Sequence, residues 1–159
     1  MYHKTDSTQR THIIDRTNTI AQAISLEYLT ELSGTEEDLS KRSYMHLKNI
    51  LLNVRKVNRD IRFIYLVGQN SSNTLFFYVD SEESTSEDYS PPGQLYEEAP
   101  IGMYDTMRDG LSRTDGPTSD RWGVWVSGYA PIRNEAGQVI ALLGVDAPAQ
   151  EHIYNNITS

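Results

Sequence analysis

The chain has no cysteine, no long apolar run and little positive charge beyond its first third. Without cysteine there is no disulfide framework, no thiolate nucleophile and no thiolate metal site, and thiol usage says nothing of the redox compartment. No stretch approaches the roughly 18 consecutive apolar residues that span a bilayer, and the polar start Met1–Arg10 does not read as a signal peptide. Catalytic signatures are missing as well. His3, His12, His46 and His152 form no pair at metal-ligand spacing and no His-Glu-x-x-His motif. Ser127 lacks the Gly-x-Ser-x-Gly elbow, and there is no glycine-rich phosphate loop or dinucleotide fingerprint. Neither Asp80–Asp88 nor Asp115–Asp120 follows the calcium-loop pattern, and the adjacent Glu97 and Glu98 read as solvated. The expectation is a protein that is not an enzyme, with no cofactor and no metal.

What the chain does have is 159 residues, enough for one domain that buries about 70% of its unfolded surface, and a net charge of −8 that is unevenly spread. Residues 1–62 carry ten Lys/Arg against eight Asp/Glu, whereas residues 63–159 carry four against fourteen. An acidic chain is poorly suited to nucleic acid. Its acidic part either keeps a small domain in solution or selects the sign of a ligand.

The whole of 1–159 reads as a single domain. Apolar residues Ile13, Ile20, Ala21, Ile24, Tyr28 and Leu32 recur at helical spacing, as do Leu39, Tyr44, Leu47, Ile50, Leu51, Val54 and Val57. These predict helices over 11–33 and 36–58, separated by a left-handed Gly34 and an N-cap at Thr35. A β-branched and aromatic run from Ile61 to Val67 and another from Thr74 to Asp80, joined by a polar turn, predict a first hairpin over 61–80. Residues 81–121 form an irregular insertion without a strong strand, holding an acidic loop, Pro91-Pro92-Gly93 and short helices near Leu95-Tyr96 and Ile101–Met107. Such long irregular segments in compact domains are usually functional. A second hairpin spans 122–146, turning at Arg133–Gly137, and 147–159 is a tail with a short helix from Gln150 to Ile157.

Particular segments carry a resemblance. Asp60–Val67, Val79-Asp80-Ser81 and Pro92–Tyr96 are similar to the first half of a Cache domain, also called PDC. Trp122–Ile132 and Val139–Asp146 are similar to its second half, so that about residues 11–157 are covered. The resemblance implies an α+β, PAS-like fold: a five-stranded antiparallel sheet with a long N-terminal helix on one face and a helical and loop lid over the ligand face. It also implies the extracellular or periplasmic sensor of a membrane receptor, most often a histidine kinase of a two-component system. Membrane spans would flank the sensor in the parent protein, making this chain an excised piece. The implied partners are a small-molecule ligand and a second copy packed along the N-terminal helix. The alternatives are a protein-interaction module of the same fold without a small ligand, and a cytoplasmic PAS-type domain.

Strand alternation sorts the candidate site residues. On the long strand, Val124, Val126, Gly128, Ala130 and Ile132 share a small apolar face suited to a helix. Trp125, Ser127 and Tyr129 share the other, with the few polar groups that suit a pocket. Asp146 ends an apolar strand and needs compensation there, from a ligand ammonium or from local backbone. Gly144 leaves room for a close approach. Tyr78 and Asp80 share a face of the second strand, Tyr65 suits the floor, and Tyr96, Tyr104 and Arg108 suit the lid, with Arg121 just before the long strand. An arginine beside aromatics matches a carboxylate. Amino-acid-binding Cache domains follow such an arginine with aromatics, whereas Asp109 and Gly110 stand here, which argues against an amino-acid ligand.

Overall fold

The computed structural model describes residues 2–121 and 123–150, with side chains from Ser7 onward. The helices are α1 (Tyr2–Ala23), α2 (Leu26–Thr30), α3 (Arg42–Val57) and α4 (Ile101–Asp109), with a 3-10 turn at Glu36–Ser40. The strands are β1 (Phe63–Gln69), β2 (Leu75–Asp80), β3 (Arg113–Asp120), β4 (Gly123–Arg133) and β5 (Val139–Pro148). They form one sheet in the order β2-β1-β5-β4-β3, antiparallel throughout. The expected α+β fold, with helices on one face and a helical segment on the other, is present.

The helix expected over 11–33 is broken in two. Ser25 adopts an extended conformation and its hydroxyl accepts the Tyr28 N–H at 3.3 Å, which starts α2 as a separate turn. Gly34 has φ +72°, as its left-handed role requires. Thr35, however, makes no side-chain cap bond. Instead the buried Asp38, within the turn, reaches back and accepts the N–H groups of Ser33 and Gly34 at 2.8 Å each, and pairs with Lys41 at 2.9 Å.

The apolar face of β4 is covered by α1. Ile13, Ile20 and Ile24 pack on Val126, Ala130 and Ile132 and on Ala141, Leu143 and Val145 of β5. Gly128 lets the helix approach, because Thr17 Oγ1 fills the space of the missing side chain and bonds back to the Ile13 carbonyl at 2.6 Å. The stripe Ile13, Ile20 and Ile24 is at most 8% exposed. It is therefore taken up by the chain's own sheet and is not a surface for a second copy.

Against the β1–β2 end lies α3, through Tyr44, Leu47 and Leu51. Its basic residues fix the segment after β2. Lys48 Nζ reaches Asp80 Oδ1 at 2.8 Å and the Glu82 carbonyl at 2.7 Å, both buried. Arg55 pairs with Glu82, and Arg62 bridges Glu82 and Asp88.

The insertion 81–121 is more regular than its composition suggests. It contains α4 and the whole of β3, whose sequence Arg-Thr-Asp-Gly-Pro-Thr-Ser-Asp has no apolar alternation. Pairing with β4 imposes the strand there, an instance of context overriding propensity. Leu95-Tyr96 is not helical. Gly93–Tyr96 runs along the outer edge of β2, with Gly93 N–H donating to Phe77 O at 2.8 Å, Phe77 N–H to Gln94 O at 3.0 Å and Tyr96 N–H to Leu75 O at 2.8 Å. Trp122, expected to open the long strand, lies outside the described residues, as does the helix expected over 150–157 beyond its first residue.

Candidate functional site

The face opposite α1 is built by two rows of side chains that cross the sheet. One row is Phe63, Asp146, Ser127 and Asp115, from β1, β5, β4 and β3 in turn. The next is Tyr65, Gly144, Tyr129 and Arg113. At one end α4 lowers Met103 into the buried group formed by Tyr65, Val67, Leu75, Tyr129 and Leu142. At the other end Phe63, Phe77, Tyr96, Trp125, Ser127 and Asp146 are each only partly buried, so this end of the face is an open recess and not an enclosed cavity; cavities of about 490 and 540 Å³ lie elsewhere, beside Arg55 and Glu82 and beside Glu27 and Asn134.

Asp146 stands in the centre of that recess. Ser127 Oγ and Tyr65 Oη both donate to its Oδ1, at 2.7 and 3.0 Å. Its Oδ2 has no hydrogen bond, and no lysine or arginine pairs with it among the described residues. Burial therefore dominates its chemistry and raises its pKa to about 6; the two donated bonds pull the other way and the charge of Asp120 adds to the rise. The Tyr96 hydroxyl likewise lacks a partner among the described residues. Burial first, then the charges of Asp146, Asp120 and Glu98, hold it firmly in the neutral phenol form.

Aromatic rings wall the recess. Phe77 and Tyr96 stack at 4.8 Å, and both present edges to Tyr65, at 6.0 and 6.4 Å. Across Asp146, Phe63 meets Trp125 at 5.5 Å, and the indole N–H of Trp125 is held by Asp120 Oδ1 at 2.8 Å. The hydroxyl of Tyr129 donates to Asp115 Oδ2 at 3.1 Å.

Of the residues the sequence singles out, Tyr65, Tyr96, Trp125, Ser127, Tyr129 and Asp146 are brought together on this face, with Tyr104 packed at its α4 edge. Four others are not. A bulge in β2 sets Leu66 opposite Val79 and Val67 opposite Phe77, so Tyr78 is the extra residue and turns toward the helices. Asp80 is held by Lys48 of α3. Arg108 points outward and pairs with Asp105 at 2.9 Å, its side chain 70% exposed. Arg121 is exposed in the turn between β3 and β4. Sequence reasoning missed Phe63, Phe77, Asp115 and Asp120. Phe63 carried a signal, since it alternates in phase with Tyr65; the two aspartates carried none, because β3 has no pattern of its own.

No family model and no curated protein matches the chain. Solved structures do. The sensor domain of Escherichia coli DcuS superposes with a TM-score of 0.60 at 12% identity, over 96% of this chain and 99% of that one. The periplasmic sensory domain of the Campylobacter jejuni chemoreceptor Tlp1 gives 0.52 at 17% identity, over 91% of this chain and 57% of that one. The fold is that of a PDC/Cache-type sensor domain. In this PDC/Cache fold the recess around Asp146 occupies the sheet face opposite the N-terminal helix, the face that the sequence resemblance assigns to the ligand. No helix among the described residues is long and apolar enough to cross a membrane.

Proposed function

We propose that this chain is the extracytoplasmic ligand-sensing domain of a transmembrane signalling receptor, with a histidine kinase as its output. The ligand seat is the recess between the sheet and the segment 93–109. The observation that carries the reading is Asp146: a carboxylate on the face of the sheet with one oxygen accepting hydrogen bonds from both Ser127 and Tyr65 and the other without a hydrogen bond among the described residues. Polar groups placed in an aromatic setting and left unmatched by protein are what a small-molecule site requires. Ligand binding signals only by preferring one of two conformations of the domain. The segment bearing α4 is the element that can differ, since it rests on the sheet through few buried side chains, chiefly Met103 and Thr106.

The absence of cysteine makes the placement simple to test. In the natural full-length gene, Ser84→Cys puts one thiol on the exposed loop after β2. The expected result is labelling by a membrane-impermeant maleimide in intact cells, against a blank for the unmodified sensor region. Labelling only after lysis overturns the extracytoplasmic reading.

A further inference from the structure

The geometry points to a second site, on the helical side of the sheet: the cavity of about 490 Å³ between the last turns of α3 and the loop after β2 binds a small oxyanion such as phosphate, held by Arg55 and Lys56. This site is separate from the recess around Asp146 and does not depend on the ligand-sensing reading.

Arg55, Lys56 and Arg62 line the cavity together with Glu82 and Glu83. The two signs are not equally available. Both oxygens of the buried Glu82 are taken: Arg55 and Arg62 donate to Oε2, and Ser86 Oγ donates to Oε1 at 2.9 Å. Glu83 is exposed and is the one carboxylate of the lining left unengaged among the described residues. More is left over on the basic side. Arg55 spends only Nη1, on Glu82 and on the Ser81 carbonyl at 2.6 Å, so its Nε and Nη2 have no partner among the described residues. Arg62 spends Nη1 and Nη2, on Glu82 and Asp88, and keeps Nε. Lys56 is exposed and has neither an ion pair nor a hydrogen bond there. The Nε and Nη2 edge of a guanidinium matches two oxygens of an oxyanion side by side, and an ammonium adds a point charge beside it.

The distribution of charge supports the same sign of ligand. Six of the fourteen Lys/Arg fall between Arg42 and Arg62, against a single acid, Asp60. The net charge of −8 opposes an approaching anion, but charges more than about 8 Å apart are largely screened at physiological salt. The local set therefore decides. With Asp88 included, three cations meet three acids, so the site selects by its free donors and not by an excess of charge. Its affinity is accordingly modest, on the order of 1 mM. A cation entering the same cavity would find only Glu83 free to receive it.

The test is titration calorimetry on the 159-residue chain with sodium phosphate and sodium sulfate up to about 20 mM, against sodium chloride of equal ionic strength. Saturable binding of phosphate or sulfate, absent with chloride, is expected. Lys56→Gln alters an exposed residue without a partner, so it should leave Tm unchanged and weaken binding at least about fivefold. Arg55→Lys keeps the charge, loses the fork and should weaken it about tenfold. Co-sedimentation with phosphatidylcholine vesicles, with and without about one third phosphatidylglycerol, separates the sources of the oxyanion. Retention on the anionic vesicles alone, removed by Lys56→Gln, assigns the phosphate to a lipid headgroup. Saturable phosphate binding without retention assigns it to a free oxyanion. Binding that is equally strong in both variants overturns the proposal. So does the absence of saturable phosphate and sulfate binding together with no Lys56-dependent retention on vesicles.

Discussion

The ring of Tyr65 lies across Gly144, in the space any other residue at 144 would fill, and from there its hydroxyl reaches Asp146. Gly144→Ala forces the ring away and breaks that contact. The expected loss is about 1–3 kcal/mol, the usual penalty of overpacking, read by urea denaturation. Tyr65→Phe keeps the ring and should lose no more than about 1 kcal/mol. Equal stability of Gly144→Ala and the parent would show that the ring does not occupy this place.

Asp146 makes stability depend on pH in an unusual direction. Its ordinary value is 3.8 and its folded value about 6, so the folded state binds the proton more tightly. Its contribution is greatest below about pH 4 and is lost as pH rises through about 6. Two pKa units correspond to at most about 3 kcal/mol, and partial exposure reduces this to about 1–2. Asp146→Asn should therefore be the more stable protein at about pH 7, with the difference vanishing near pH 4. Comparing the two melting curves cancels the slopes from the other carboxylates.

Lys48 and Asp80 are a buried pair, their side chains 8% and 7% exposed. Lys48→Met strands the carboxylate beside the Ser90 and Glu82 N–H groups. The expected cost is about 3–5 kcal/mol, and Lys48→Met with Asp80→Asn should recover at least half of it. Simple additivity in a double-mutant cycle would refute the coupling.

Arg108 offers the opposite expectation. Its pair with Asp105 is exposed, so Arg108→Ala should change stability by less than about 0.5 kcal/mol and leave any ligand shift intact. A lost ligand response would return Arg108 to the site.

The core and half of the candidate site were readable from side-chain alternation. Trp125, Ser127 and Tyr129 fall on the predicted face because β4 is long and regular there. Tyr78 was misplaced because one inserted residue in β2 breaks the alternation, and nothing in Leu-Phe-Phe-Tyr-Val-Asp marks the insertion. Asp80 was lost to the site because a lysine 32 positions earlier in the chain claims it, a contact that no strand pattern encodes. β3 was illegible for a different reason: an edge strand rich in Thr, Ser and Asp has no apolar face to display. Asp115 and Asp120 were hidden with it. Arg108 failed as a predictor because composition states how many cations there are, whereas the fold pairs this one with Asp105.

The short run Gly93–Tyr96, bonded along β2, has a consequence for how these molecules behave in a crowd. It occupies the hydrogen-bonding groups of Phe77 and Leu75 on one margin of the sheet. The opposite margin is β3, where Pro117 offers no N–H. Neither margin welcomes a foreign strand. Concentrated solutions should stay free of cross-strand aggregates, and Pro117→Thr is the change that should first make them appear.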